Sequence, residues 1–259
     1  MNSFRFIPLT VRNGFWNMAL DEAILRMVIL KKSPNTLRFY KWSPSTASIG
    51  RNQSLSAEID MNFANQKGFN VVRRITGGGA VFHDEDRELT YSIICPTKFL
   101  EHLGCKKVLD QFEIITQGII AGLMIFGLEP EKDVIHCPAI TIEGKKFSGN
   151  AQVRKKGYIL QHGTILLDLD PNLMYSVLKA PENVSKTKMV KSVRAKCIGI
   201  KEYIQNYNEN KLINSLKRGF EKILGFKLVN GAFTKEELIL AEQLVKEKYS
   251  NLKWLKKYE

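Results

Sequence analysis

The sequence predicts an α+β fold, a mainly antiparallel sheet flanked by helices. It predicts one domain over residues 1–259, with a helical C-terminal segment from about 208 to 259. Two observations carry this. Short stretches alternating apolar and polar residues, such as "ELTYSIIC", lie close together and are separated by turn residues, as in hairpins. Longer stretches with apolar residues at helical spacing lie between these groups of strands rather than after every strand.

The elements follow in order. "NGFWNMALDEAILRMVILKK" reads as a helix with Asn17 as N-cap, Asp21 and Glu22 in its first turn, and Leu20, Ile24, Met27 and Val28 on one face. "NTLRFYKW" and "TASIG" read as strands around a turn at Ser43-Pro44, and "SAEIDMNFANQKG" as one short helix ending at Gly68. "FNVVRR" reads as a strand running into the glycine loop, and "GAVFHD" and "ELTYSIIC" as half-buried antiparallel strands. "KVLDQFEIITQGIIAGLMIFG" is a second long helix, "AITIEGKKFSG" a hairpin turning at Glu143-Gly144, and "GYILQHGTILLDLD" one further strand or two. "PNLMYSVLKA", "NENKLINSLKRGFEKILG" and "TKEELILAEQLVKEKYS" are helical, the last opening on a Thr234–Glu237 capping box.

The bulk numbers bound the chemistry. With 259 residues, 44% of them hydrophobic, the chain can bury a large core. No apolar run is read as reaching the roughly 20 residues of a membrane helix. Cys95, Cys105, Cys137 and Cys197 are scattered, so a disulfide framework or zinc site is not expected, and a cytoplasmic location is. The net charge of +13 suggests an anionic partner or a solvated basic surface. A nucleic-acid-binding role is disfavoured, because the chain shows no reading helix, zinc pattern or aromatic platform.

Three stretches carry candidate chemistry. In "RRITGGGAVFHD", a strand delivers Arg73 and Arg74 to Gly77, Gly78 and Gly79. This is either a tight turn or a loop whose N–H groups face an anion or carbonyl. In "GKKFSGNAQ", a lysine turned inward would stabilise developing negative charge, but alternation does not choose between Lys145 and Lys146. In "LQHGTILLDLD", His162 sits inside an apolar strand, where a satisfied core histidine is the commoner role.

Together these motifs, with "WNMALDEAIL" near the start and "EKYSNLKW" near the end, resemble the lipoate–protein ligase A and octanoyltransferase superfamily. Its catalytic domain is related to that of biotin–protein ligase. The chain resembles most the short ligases without a C-terminal accessory domain. The resemblance implies a biotin/lipoate-ligase-like fold. It places Arg73, Arg74, Thr76, Gly77, Gly78, Gly79, Ala80, Val81, Phe82 and His83 around the acyl chain and its phosphate. It makes Lys146 the essential lysine with Lys145 toward solvent, and adds Ser148, Gly149, Ala151, His162 and Gly163. Val81, Phe82 and Ile165 become candidates for an apolar slot.

The implied activity is that of a lipoate–protein ligase. ATP, with Mg2+, activates lipoate to lipoyl-AMP, which a lysine of a lipoyl domain then attacks. Acceptors would be lipoyl domains of 2-oxoacid dehydrogenase complexes or the glycine cleavage H protein, and a separate accessory subunit is implied. The metal ligands are not assigned: where ligases often carry Asn-Asp, this chain has Pro138-Ala139. The resemblance also holds an alternative, an octanoyltransferase or amidotransferase that takes octanoyl from its carrier protein onto Cys137 as a thioester, without ATP.

Overall fold

In the computed structural model of the chain, residues 3–133 and 139–259 are described. The first element is a strand the sequence reading left out, β1 (Ser3–Arg12). Helix α1 (Gly14–Ile29) follows, capped by the Asn13 side chain rather than by Asn17. Asn17 is instead buried, its amide donating to the carbonyls of Arg12 and Lys41 at 3.1 and 3.0 Å. Asp21 and Glu22 therefore stand in mid-helix and face the core.

Strands β2 (Thr36–Trp42) and β3 (Thr46–Ile49) match their sequence readings. The single helix expected next is two, α2 (Leu55–Glu58) and α3 (Met61–Gln66), interrupted where Ile59 bridges Leu178. Strands β4 (Asn70–Arg73), β5 (Val81–His83) and β6 (Glu88–Pro96) lead to α4 (Thr97–His102) and α5 (Val108–Phe126). Helix α5 corrects one expectation: at 19 residues it is long and apolar enough to cross a membrane. Here its Ile115, Ile119 and Leu123 pack into the main core.

Then come β7 (Glu131–Asp133), β8 (Ala139–Ile142), β9 (Lys145–Ser148), β10 (Asn150–Lys155) and β11 (Tyr158–Leu166). The turn at Glu143 and Gly144, with φ of 49° and 72°, is the expected hairpin. The chain continues through α6 (Pro171–Val177), α7 (Lys186–Lys196) and α8 (Glu209–Leu224). It closes with β12 (Lys227–Asn230), α9 (Lys235–Leu244) and α10 (Leu252–Leu255). The Thr234–Glu237 capping box is present in α9.

A six-stranded sheet runs β10-β11-β6-β2-β1-β12, and two three-stranded sheets run β4-β3-β5 and β7-β8-β9. The β12–β1, β1–β2 and β3–β4 pairs are parallel and the others antiparallel. The fold is thus α+β and mainly antiparallel, as expected.

The large sheet is covered on both faces. Phe6, Phe39, Tyr91 and Ile93 look toward α5 and α8 in the main core. The alternate residues Arg38, Tyr40, Ser92 and His162 look toward α1. Strand β6 is consequently buried from Glu88 to Cys95, not half-buried as its alternation suggested. Its polar residues are aimed into a buried hydrogen-bond network instead of water.

Candidate functional site

The face of the sheet that meets α1 gathers its polar groups around one carboxylate. Asp21 Oδ1 accepts from Arg38 Nε at 3.0 Å and from Ser92 Oγ at 2.8 Å. Its Oδ2 accepts from Tyr40 Oη at 3.1 Å and His162 Nδ1 at 3.0 Å. Burial alone would raise the Asp21 pKa, but Arg38 and the hydrogen bonds from His162 and Ser92 outweigh it and hold the carboxyl below its ordinary range. Burial lowers the His162 pKa, so the ring is neutral near pH 7 despite Asp21. With Nδ1–H committed to Asp21, Nε2 accepts from the Thr76 hydroxyl at 2.8 Å. His162 is therefore oriented, and it ties the start of the glycine loop to α1.

A second relay runs alongside. His83 Nδ1 meets Glu88 Oε1 at 2.8 Å, and Nε2 meets Ser48 Oγ at 2.8 Å. Thr90 donates to the same Glu88 oxygen and accepts from Trp42 Nε1 at 2.8 Å. The Trp42 ring stacks on the His83 imidazole, with centroids 4.0 Å apart.

The two adjacent arginines have different tasks. Arg74 Nη1 donates to Ser48, and Nη2 donates to the carbonyls of Gly77 and Gly79 at 2.8 and 2.7 Å. Burial pushes its pKa down to about 10, which leaves it charged at neutral pH. Because a trans peptide points its C=O and N–H in opposite directions, the N–H groups of Gly78 and Ala80 face away from Arg74. The loop is thus held from behind with donors turned outward, the arrangement an anion or oxyanion needs. Gly78 has φ of 93°, which favours glycine. A Cβ on Gly50 would fall 2.0 Å from Gly78 O, so the loop rests directly on that backbone.

Arg73 corrects the expectation that it wraps the acyl chain. It is fully buried and donates to the carbonyls of Gly50, Arg51 and Gln53 on one side and Trp254 and Leu255 on the other. Its work is to fasten the C-terminal turn to the base of the loop.

Across the opening stands Lys146. It lines the cavity, and its Nζ would be 3.5 Å from a Cβ placed on Gly149. Lys146 is exposed while Lys145 is half-buried, which corrects the expectation that Lys145 is the one turned toward solvent; Lys146 sits at the cavity mouth and not in a dry interior. In register, Lys146 opposes Thr141 of β8 and forms an isolated parallel bridge with Cys197 at the end of α7. Burial raises the Cys197 pKa, while Lys146 and Lys196 pull it down. Sequence reading passed over this thiol. Cys137 lies outside the described residues.

These groups surround a cavity of about 260 Å³. Of the residues expected at the site, Arg74, Gly78, Gly79, Ala80, Val81, His83, Lys146, Gly149, Ala151, His162 and Gly163 line it. Thr76 and Ser148 are buried behind it. Gly77 is exposed on the loop. Phe82 and Ile165 are not slot residues: Phe82 packs with Ala47 and Val71 under the small sheet, and Ile165 joins the main core. The apolar wall is built instead by Met18, Tyr40, Trp42, Val81 and Ala151, with Ser48, Thr90, Asn150 and Thr164 as further polar lining. Of the missed residues, Asn150 and Thr164 adjoin the expected Gly149 and Gly163, whereas Met18, Tyr40, Trp42, Ser48 and Thr90 lie on α1, β2, β3 and β6, outside the three sequence motifs. Only the alternation of "RFYKW" and "ELTYS" could have aligned them on one face.

The family model of the lipoyl protein ligase A/B catalytic domain matches residues 13–221. Octanoyltransferase LipM of Brevibacillus brevis is 37% identical over 98% of this chain and 99% of its own. Octanoyltransferase LipM of Bacillus subtilis is 33% identical over 97% of each. A bipartite lipoate protein ligase of Thermoplasma acidophilum, described with its E2 lipoyl domain, superposes with TM-score 0.87 at 26% identity, covering 100% of this chain and 98% of that one. A lipoate-protein ligase A bound with ATP superposes with TM-score 0.85 at 26% identity over the whole of both chains.

Proposed function

The chain belongs to the lipoyl protein ligase A/B catalytic-domain family, and we propose that within it the chain is an octanoyltransferase acting through a cysteine thioester. The observation that carries this reading is the transferase name of relatives 33–37% identical over nearly the whole chain, against 26% for the ligase structures. It favours the alternative stated above over the ATP-dependent ligase. Lipoyl-AMP, ATP and Mg2+ have no part in this reading.

Cys137 is the nucleophile. It stands two residues before Ala139, the start of β8, and β8 pairs with β9 through Ile140 and Ser148 beside the cavity-lining Gly149. The Cys137 thiolate attacks the carbonyl carbon of an octanoyl thioester on the carrier. A new C–S bond forms, the carrier's C–S bond breaks, and the carrier sulfur leaves as a thiolate that takes up the proton the Cys137 thiol had given up. The neutral ε-amine of an acceptor lysine, on a lipoyl domain, then attacks the enzyme thioester. An amide forms, the amine gives up one proton, and the Cys137 thiol is regenerated.

Each half passes through a tetrahedral oxyanion. Lys146 and the outward N–H groups of the glycine loop supply positive charge there. Met18, Trp42 and Val81 hold the alkyl chain, each buried CH2 contributing about 0.8 kcal/mol.

The test is a donor swap with an apo lipoyl domain as acceptor. Octanoylation from the carrier protein without ATP is expected. Modification only from free octanoate or lipoate with MgATP would return the chain to the ligase reading.

A further inference from the structure

A second pocket, of about 290 Å³, lies beside the acyl cavity and is lined by Arg26, Arg51, Lys155 and Lys248 over a floor that includes Ile75 and Trp254. Three stretches of chain join the two cavities. Arg74 lines the first and Ile75 the second. Gly50 supports Gly78 of the loop, and Arg51 follows it. Ala151, Val153 and Lys155 share one face of the edge strand β10, Ala151 in the acyl cavity and the other two in the second pocket.

The pocket carries uncompensated positive charge. Its one acidic lining residue, Glu22, is buried and already accepts from Arg26, from Lys248 at 2.7 Å and from Tyr249 Oη at 2.6 Å. Among the described residues no carboxylate pairs with Arg51 or Lys155. Burial lowers the Lys248 pKa; Glu22 opposes this, and Arg26 and Lys155 add to it. An anion in the pocket would relieve that crowding.

We propose that this pocket binds the phosphate of the acyl donor's phosphopantetheine arm while the octanoyl chain occupies the neighbouring cavity. This rests on the thioester-transfer reading. At about 3.3 Å per residue, the chain from Gly149 through β10 to Lys155 covers roughly 20 Å, a span an extended pantetheine arm bridges. Ile75, Val153 and Trp254 give the arm's apolar carbons a wall, and Arg51 and Lys155 give its phosphate two unpaired cations.

The experiment compares octanoyl-4′-phosphopantetheine with octanoyl-pantetheine in the intact protein and in an Arg51→Ala/Lys155→Ala variant. Affinity is read by calorimetry and transfer by acceptor mass. The phosphorylated donor is expected to bind the unaltered protein more tightly. The variant is expected to lose about ten-fold or more of that affinity, as removing charge-assisted hydrogen bonds implies, while binding octanoyl-pantetheine as before. Equal affinity for both donors, or equal loss on both, overturns the proposal. So does equal competition by AMP, which would mean a phosphate site indifferent to the arm. A loss seen with the whole carrier protein but not with the small phosphorylated donor would assign the pocket to protein carboxylates and also overturn it. Failure of the transferase reading shows separately, as absent acyl transfer from either donor, and leaves the calorimetric comparison standing.

Discussion

Asp21 and His162 are 141 residues apart in sequence and joined by a 3.0 Å hydrogen bond in the buried face between α1 and β11. The same carboxylate neutralises the fully buried Arg38. Asp21→Asn keeps the shape and removes the charge, which leaves Arg38 buried without its counter-ion. The expected loss is about 3–5 kcal/mol of stability, the cost of breaking a buried pair from one side. Denaturant unfolding measures it, and a loss below 1 kcal/mol would mean that the network relaxes.

The same pair sets a pH dependence. Burial lowers the His162 pKa below its ordinary 6.5, so on acidification the unfolded chain takes up that proton first. Its share of stability is complete above pH 6.5 and falls as pH drops toward the folded pKa, by at most about 1.4 kcal/mol per pH unit. Asp21, depressed below its ordinary 3.8, contributes fully above that value and is lost only on stronger acidification through its folded pKa. Urea midpoints at pH 8, 6 and 5 should decline. A Thr76→Val variant leaves His162 Nε2 unpartnered and should be less stable by about 1–3 kcal/mol.

Arg73 and Arg74 should separate in experiment although they adjoin. Arg73→Ala removes donors from the carbonyls of Trp254 and Leu255. It should lower the melting temperature and open the C-terminal turn to protease. Arg74→Ala frees the carbonyls of Gly77 and Gly79. Its larger effect should be on acyl transfer, and identical phenotypes would contradict the division of labour.

Gly50→Ala places a methyl 2.0 Å from the Gly78 carbonyl oxygen, where backbone has to move. Acyl transfer should fall at least about ten-fold, with the far-side core around Phe39 and Phe220 intact by near-UV circular dichroism.

Lys146→Ala removes an exposed side chain at the cavity mouth. It should abolish transfer while moving the melting temperature little, since surface substitutions cost within about 0.5 kcal/mol. Retained activity would remove Lys146 from the mechanism.

The glycine loop, the Lys146 hairpin and the His162 strand were legible because each is a local motif. What was not legible was how the sheet combines them. Arg73 and Arg74 look alike in sequence, and only the path of residues 252–255 past β4 shows that one is a fastener. Glu88, Thr90 and Ser92 read as the wet side of a strand. They are buried because α1 covers the face that alternation assigns to water. Asp21 looked like a helix-start acid because Asn17 looked like the cap. The true cap, Asn13, starts the helix a turn earlier, so Asp21 is past the first turn, on the buried face it shares with Ile24, Leu25 and Val28.

The most direct measurement is peptide mass spectrometry of the purified chain after exposure to octanoyl-carrier protein without ATP, beside its Cys137→Ser and Cys197→Ser variants. The account predicts a hydroxylamine-labile octanoyl group on Cys137, absent from Cys137→Ser and retained in Cys197→Ser. Acceptor octanoylation by Cys137→Ser at the unaltered rate, or an adduct on Cys197 instead, would contradict it.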